Sequence, residues 1–307
     1  MDNVSEQDQK KIDLIEDLKS LRNALSMIEQ IKGGRISRSS YEEVQDIVKA
    51  LIYGMVFLNR TPSPGLTLYR GRIISDGQLL KNKSDFSYCP EEKITEFGRC
   101  NSPDNTVFYG SNNLDTVLSE LKPEIGDIVQ VGVAQLKQGS SFEIAVLGEV
   151  DHIRRYERSL LGQPNMYVEK IFKDFLPNEQ SKIYLIDAFC AEMFSLPNNN
   201  QKDYFFTCAL SNLIFDLPAK EKKGAVDGFV YPSVAHRGGI NLAIKPKSFD
   251  SHFDFSGFMS FKIHDYLGFG LYGRVQEHIG IYNNKEGVID WKALDIPKEM
   301  IPERISI

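Results

Sequence analysis

The sequence has few of the residues that tie a chain together covalently or hold a metal. Its 307 residues include 4 cysteines and 5 histidines. The cysteines are too sparse for a disulfide scaffold, and none sits in a CxxC or CxxxC pair that would suit zinc. The histidines lack ligand spacing, so each is interpreted as a surface or core residue. These residues are Cys89, Cys100, Cys190, Cys208, His152, His236, His252, His264 and His278.

Several longer signals are also missing. No stretch approaches the ~20 apolar residues that span a bilayer, and the first residues are acidic and polar where a secretory signal is basic and then apolar. A cytoplasmic protein without membrane contact is therefore expected. The sequence has no GxxxxGK[ST], GxGxxG, HExxH or GxSxG motif. It therefore gives no motif evidence for a kinase, a P-loop enzyme, a Rossmann dehydrogenase or a zinc hydrolase.

The charge balance is slightly acidic, with 36 Lys+Arg against 42 Asp+Glu and a net charge of −6. This balance gives no whole-chain support for nucleic-acid binding, and none is expected. The hydrophobic fraction of 42% is ordinary for a globular protein. A chain of this length forms one large domain or two modest ones.

The first 60 residues predict a helical hairpin. Residues 8–32 carry apolar side chains at spacings of three and four, and Gly33-Gly34 ends this pattern. Ser40 followed by Glu43 is typical of a capping box, which starts a second helix. The stretch Arg60-Thr-Pro-Ser-Pro-Gly65 then excludes further helix.

After Gly65 the pattern changes to short strands interleaved with helices. Strands are predicted near 66–70, 106–109, 128–134, 142–147, 228–231 and 240–244, helices at 113–122, within 151–175 and at 204–215, and a β-meander at 258–282. Because no regular βαβ rhythm connects them, the fold class is predicted as α+β.

Polar residues stand at strand ends, in turns and on one helix. Each of them alone has an ordinary structural interpretation, as a solvated arginine or glutamate or a turn serine. Together they indicate an enzyme or a binding protein with an anion site. The residues are Tyr69, Arg70, Arg99, Asn101, Tyr109, Glu120 and Ser233.

In this order the residues resemble the RES domain family, named for its Arg, Glu and Ser. The resemblance covers residues 61–245 and rests on Tyr69-Arg70, Gly98-Arg99-Cys-Asn101-Ser-Pro103, Val107-Phe-Tyr109, Thr116-Val-Leu-Ser-Glu120, Asp227-Gly-Phe-Val-Tyr-Pro-Ser233 and Gly238-Gly-Ile-Asn-Leu-Ala-Ile244. It implies an ADP-ribosyltransferase-like fold, a twisted β-core with helices around it.

The resemblance also implies a function. RES proteins are typically bacterial toxins that deplete NAD⁺ by breaking its nicotinamide–ribose bond, through hydrolysis or phosphorolysis, and a helix-turn-helix antitoxin is the usual partner. NAD⁺ is then a substrate, inorganic phosphate an optional co-substrate, and no cofactor or metal is needed. The implied catalytic residues are Arg70, Glu120 and Ser233, and the implied substrate-binding residues are Tyr69, Arg99, Asn101 and Tyr109.

The residue types suit this chemistry. Arginines bind pyrophosphate oxygens bidentately, and a phenol ring stacks on cationic nicotinamide. Cleavage passes through an oxocarbenium-like ribose, which a carboxylate such as Glu120 stabilises. Because nicotinamide leaves as a neutral molecule, one carboxylate suffices. Ser233 is expected to hydrogen-bond substrate rather than to act as a nucleophile, since no base is paired with it in the sequence.

The chain is therefore divided into a helical segment at 1–60, a RES domain at 61–245 with an insertion at about 140–200, and a β-rich extension at 246–307. The two flanks have three open roles: capping the site, forming a homo-oligomer, or replacing the separate antitoxin. Two alternative functions stay open, an ADP-ribosyltransferase and a catalytically silent nucleotide-binding or interaction module.

Overall fold

In the computed structural model, the described residues are 6–74, 77–103, 105–161, 172–173, 175–197, 200–218, 224–295 and 297. They contain eight α-helices and ten strands, which confirms the α+β class. The helices are α1 (Glu6–Lys32), α2 (Arg35–Arg38), α3 (Tyr41–Leu51), α4 (Leu114–Leu121), α5 (Glu149–Tyr156), α6 (Pro177–Ser195), α7 (Phe205–Phe215) and α8 (Pro246–His252).

The strands belong to one sheet. They are β1 (Leu58–Arg60), β2 (Thr67–Ile74), β3 (Phe108–Ser111), β4 (Ile128–Leu136), β5 (Ile144–Val146), β6 (Gly228–Pro232), β7 (Ile240–Ile244), β8 (Phe253–Gly268), β9 (Leu271–Asn283) and β10 (Val288–Ala293). Their order is β1-β5-β6-β7-β3-β2-β4-β8-β9-β10. Each neighbouring pair from β6 to β10 in this order is antiparallel.

The chain divides into two compact units. The first consists of Met1–Leu58, Phe97–Cys100 and Val146–Ile214, and the second of Asn59–Glu96, Asn101–Ala145 and Phe215–Ile307. The segments predicted from sequence, 1–60, 61–245 and 246–307, stay a prediction. Part of the predicted insertion, residues 162–171, 174 and 198–199, lies outside the described residues.

In the first unit, both helices of the predicted hairpin are present. The capping box of α3 is confirmed, because Ser40 Oγ accepts from the backbone N–H of Glu43 at 3.3 Å and Glu43 Oε2 accepts from that of Ser40 at 2.8 Å. Helix α1 ends at Lys32, just before Gly33-Gly34. However, α1 packs mainly along α6, where Lys32 Nζ lies 2.8 Å from Glu192 Oε2. The sequence did not predict this partner.

In the second unit, the two faces of the sheet have different cores. Helix α4 packs on one face, where Leu118 contacts Val129 and Phe261. Gly71 permits this approach, since a Cβ there would lie 2.6 Å from Leu121 Cδ1. On the opposite face the ring of Phe108, in β3, stacks on that of Phe249, in α8, at 3.8 Å.

The β-meander predicted at 258–282 is confirmed in strands β8 and β9, and the structure adds β10, which was not predicted. These strands continue the central sheet, because β8 pairs with β4 from Leu136 to Ile128. Much of the predicted C-terminal extension is therefore part of the same sheet that carries β2, β3 and β4. Among the helices that the structure describes, none combines the length and apolarity needed to cross a membrane.

Candidate functional site

Helix α4 carries Glu120 and is fixed at its start by two polar side chains. Asn113 Oδ1 caps the helix by accepting from the backbone N–H of Asp115 at 2.7 Å. Ser111, the last residue of β3, donates its hydroxyl to the carbonyl of Ile240 in β7 at 2.6 Å. The buried Leu118 holds the helix on the sheet and leaves Glu120 exposed. Local capping and core packing thus fix the position of this carboxylate.

The carboxylate of Glu120 lies at the centre of a hydrogen-bonded cluster. Its Oε1 accepts from Ser233 Oγ at 2.6 Å and from Asn241 Nδ2 at 2.7 Å. Hydrogen bonds to an ionised oxygen are stronger than neutral ones, so two of them hold this oxygen firmly. The second oxygen, Oε2, accepts no hydrogen bond from the described residues. The structure therefore brings Glu120 and Ser233 together in one hydrogen bond.

The loop after β6 places Ser233 beside α4. Ser233 is buried, and its hydroxyl oxygen also accepts from the backbone N–H of His236 at 3.1 Å. The His236 ring in turn lies on the helix, with Nδ1 2.7 Å from Thr116 Oγ1. Gly239 closes the loop through its carbonyl, which accepts from the Ser233 N–H at 2.9 Å. The Ser233 hydroxyl is thus already committed as donor and acceptor.

Four residues form a row across the sheet beneath Glu120. Tyr69 is paired with Ser111, Ser111 with Asn241, and Asn241 with Tyr231. Directly paired residues of antiparallel strands point to the same face of a sheet. Tyr69 also packs against the cluster that contains Leu118, so this is the face covered by α4. Tyr69 therefore stands on the same side of the sheet as Glu120.

Tyr109 lies two residues before Ser111 and shares its face. The Tyr109 hydroxyl donates to Asn101 Oδ1 at 2.9 Å, and Asn101 Nδ2 donates to the carbonyl of Glu96 at 3.4 Å. The structure thus joins two of the predicted binding residues, Asn101 and Tyr109, in one hydrogen bond.

Arg70 follows Tyr69 in β2, so its side chain starts from the opposite face of the sheet. The guanidinium lies 5.5 Å from the centre of the Phe108 ring, and Nη1 donates to the carbonyl of Tyr109 at 2.7 Å. Its Nε is buried and has no hydrogen-bond partner among the described residues. Burial, and then the like charge of Arg72, lowers the pKa of Arg70 to about 9. No described hydrogen bond or ion pair joins Arg70 to Glu120.

Arg99 belongs to the first compact unit, whereas the other predicted site residues belong to the second. Its Nη1 donates to the carbonyl of Phe194 at 2.6 Å and its Nη2 to that of Leu196 at 3.2 Å. These carbonyls lie at the C-terminal end of α6, where a cation is favourable. In this structure Arg99 stabilises that helix end.

Asn241 was not predicted as a site residue, although it stands inside the Gly-Gly-Ile-Asn motif. The strand pattern of β7 could have identified it, because Asn241 is a polar residue flanked by the buried Ile240 and Leu242. Asn241 is only half-buried, so its amide can bond either to solvent or to a polar side chain. Its partner, Glu120, is 121 residues away in sequence, which only the fold reveals.

The described residues contain no group of three or more His, Cys, Asp or Glu side chains arranged to hold a metal ion. Comparisons with protein-family models, with curated proteins and with solved structures give no match to this chain. The functional argument therefore depends on the site itself.

Proposed function

We propose that the protein is a RES-type NAD⁺ glycohydrolase or NAD⁺ phosphorylase that cleaves the nicotinamide–ribose bond. The observation that carries the proposal is the Glu120 carboxylate, whose Oε1 is held by Ser233 and Asn241 while Oε2 accepts no described hydrogen bond. An oriented carboxylate with one available oxygen suits the stabilisation of a developing ribose cation.

The proposed reaction breaks the bond between ribose C1′ and the nicotinamide nitrogen. The bonding electron pair leaves with nicotinamide, which becomes neutral and needs no proton. Glu120 Oε2 stabilises the positive charge on ribose and orients the acceptor, either water or phosphate. The acceptor oxygen then bonds to C1′. Water loses a proton to solvent in this step, whereas an unprotonated phosphate oxygen bonds without losing one. Since Ser233 Oγ donates to Glu120, Ser233 acts here by positioning the carboxylate.

The remaining predicted contacts complete the proposed site. Tyr69 and Tyr109 supply aromatic surface on the face that carries Glu120, where nicotinamide can stack. Arg70 is proposed to bind a phosphate oxygen of NAD⁺ through its guanidinium. Asn101 is proposed as a further contact, and the substrate-binding role of Arg99 stays a prediction.

From the resemblance to the RES domain family we also propose the fold and the cellular role. The proposed fold is ADP-ribosyltransferase-like, and the proposed role is that of a bacterial cytoplasmic toxin that depletes NAD⁺ and has a helix-turn-helix antitoxin as its partner. These proposals are supported by the ordered set Arg70, Arg99, Tyr109, Glu120 and Ser233 and by the hydrogen bond between Ser233 and Glu120.

The test is nicotinamide release from NAD⁺ by the purified full chain, with and without inorganic phosphate. Free ADP-ribose as the second product indicates hydrolysis, and its phosphorylated form indicates phosphorolysis. Glu120→Gln should lower kcat by at least about 100-fold, in the range expected for loss of charge stabilisation. Glu286→Gln is the matched control, since Glu286 is exposed in the turn between β9 and β10.

The alternatives give different outcomes in the same experiment. Label from the adenylate half that appears on a macromolecule indicates ADP-ribosyl transfer. Binding of NAD⁺ without turnover indicates a silent nucleotide-binding module. Absence of nicotinamide under both phosphate conditions contradicts the enzymatic proposal.

A further inference from the structure

The turn between β8 and β9 presents an aromatic side chain to solvent at a conformational cost. Phe269 is 96% exposed and adopts a φ of 54°, between Gly268 and Gly270, which also have positive φ. For a residue with a Cβ, the left-handed conformation costs about 1–2 kcal/mol. Phe269 buries almost nothing within its own chain, so no intramolecular packing offsets this cost.

A cleft lies beside this turn, between it and the end of α4. It has a volume of about 720 Å³. Its apolar lining includes Ile125, Ala235, Tyr266 and Tyr272. Ser119, Lys122 and Glu124 line the rest of the cleft, which is roomy enough for one more aromatic side chain.

Exposed apolar side chains stand at the rim of the cleft. Ile125 and Tyr266 line it and are exposed, and so is Phe269 at the turn. Clustered exposed apolar side chains of this kind mark interaction sites on proteins. A protruding Phe269 and an apolar cleft thus stand next to each other on the same surface.

We propose that this surface binds a second copy of the chain, with Phe269 of each copy inserted into the cleft of the other. In a contact with twofold symmetry the same patch is used on both sides, so it must be complementary to itself. The turn and the cleft meet this requirement, because one molecule carries both the protruding ring and the space that receives it.

The charges at the cleft are also self-complementary. Lys122 and Glu124 both line it, both are exposed, and neither side chain has an ion-pair partner among the described residues. Across a twofold axis, the cation of one copy can face the anion of the other. These two charges offset each other although each chain carries a net charge of −6, which lessens like-charge repulsion where two copies meet at the cleft.

The turn is fixed to α4, the helix that carries Glu120. Ser119 Oγ donates to the carbonyl of Gly270 at 3.2 Å, and Arg274 Nη1 lies 2.6 Å from Asp115 Oδ1. The proposed interface thus borders the helix of the candidate site. It depends on none of the NAD⁺ chemistry, and dimerisation can be measured without substrate.

The first test measures mass by sedimentation velocity over a wide range of chain concentrations. The wild-type chain should change from monomer to dimer as concentration rises. Phe269→Ser should weaken association by at least about 30-fold, as expected for a buried aromatic anchor. Phe269→Gly should weaken it equally, and at a concentration where the wild type is monomeric it should leave the melting temperature unchanged or higher, because glycine removes the backbone strain. This second variant separates lost association from lost folding.

The matched control is Ile281→Thr, a change at another exposed apolar residue in β9, 69% exposed and away from the turn. It should dimerise like the wild type. A second test mixes two single variants, Phe269→Cys and Ile125→Cys, with a copper–phenanthroline oxidant, and a disulfide joining the two different chains is expected. A wild-type chain that stays monomeric at every concentration overturns the proposal, and so does a dimer that Phe269→Ser leaves intact.

Discussion

Ser233 Oγ donates a hydrogen bond to Glu120 Oε1 at 2.6 Å, across 113 residues of sequence. The bond connects the loop after β6 to the outer side of α4. It makes the orientation of the carboxylate depend on the register of the sheet, because β6 pairs with β7, and β7 pairs with β3, the strand that precedes α4. Two hydrogen bonds to one oxygen therefore couple the candidate site to the core of its unit.

The hydrogen bonds that Ser233 and Asn241 donate to Glu120 Oε1 predict the effect of removing either donor. Ser233→Ala and Asn241→Ala should each lower kcat for nicotinamide release by about 10- to 100-fold, since a bond to a charged group contributes about 1.5–3 kcal/mol. Both act through Glu120, so the double variant should lose less than the product of the two single effects. Steady-state kinetics of the two single variants and the double variant check this. Strictly multiplicative losses would show that the two side chains act separately.

Because α4 lies close to β2, a side chain at position 71 should overpack the space between them. A Cβ there would lie 2.6 Å from Leu121 Cδ1 and 2.7 Å from Val117 Cγ1. Gly71→Ala should therefore lower the free energy of unfolding by about 1–3 kcal/mol, as overpacking does. Adding Leu121→Ala should cost less in the Gly71→Ala background than alone, because it removes the clash. Urea denaturation of the four proteins in the cycle measures this coupling, and additive losses would contradict it.

The capping box of α3 predicts a local loss of stability. Ser40→Ala removes the side-chain acceptor for the Glu43 N–H and should lower the free energy of unfolding by about 1 kcal/mol. Ser37→Ala is the control, since Ser37 is exposed and its side chain has no described hydrogen bond. Thermal or urea unfolding of both variants provides the measurement. Equal effects at the two positions would indicate that the cap is not stabilising.

The buried carboxyl group of Asp187 should make the stability of the protein depend on pH. It is buried on α6 and accepts from the backbone N–H groups of Gly148 and Asp151 at 2.8 and 2.9 Å, at the start of α5. Burial is the main cause that raises its pKa to about 7, and the nearby charge of Asp151 adds to it. Between about pH 4, near the ordinary pKa of an aspartate, and pH 7, the folded state holds a proton that the unfolded state has lost.

Stability should therefore fall as pH rises through this window, by at most about 1.4 kcal/mol per pH unit, and level off above pH 7. Asp187→Asn removes the titrating group, so the difference in unfolding free energy between pH 5 and pH 8 should shrink. Asp46→Asn is the control, because Asp46 is exposed on α3. Urea denaturation at both pH values measures the difference. Parallel pH profiles for Asp187→Asn and the wild type would contradict this assignment.

Much of the fold could be predicted from local patterns. The Ser40–Glu43 capping box, the end of α1 before Gly33-Gly34 and the strands of the β-meander all depend on residues that are neighbours in sequence. Hydrophobic periodicity and backbone geometry act over a few residues, so such features are encoded where they occur. The pairing of α1 with α6 was not predictable in this way, since the contacting residues Lys32 and Glu192 are 160 positions apart.

The candidate site shows the same division. The sequence by itself placed Glu120 on a helix and Ser233 at the end of a strand, and the resemblance to the RES domain family selected both as candidate catalytic residues. Only the tertiary structure decided that Asn241 joins them, that Arg70 starts from the other face of the sheet and that Arg99 bonds to the end of α6. The reason is physical: strand order and register set which distant side chains share a face, and these follow from packing over the whole sheet.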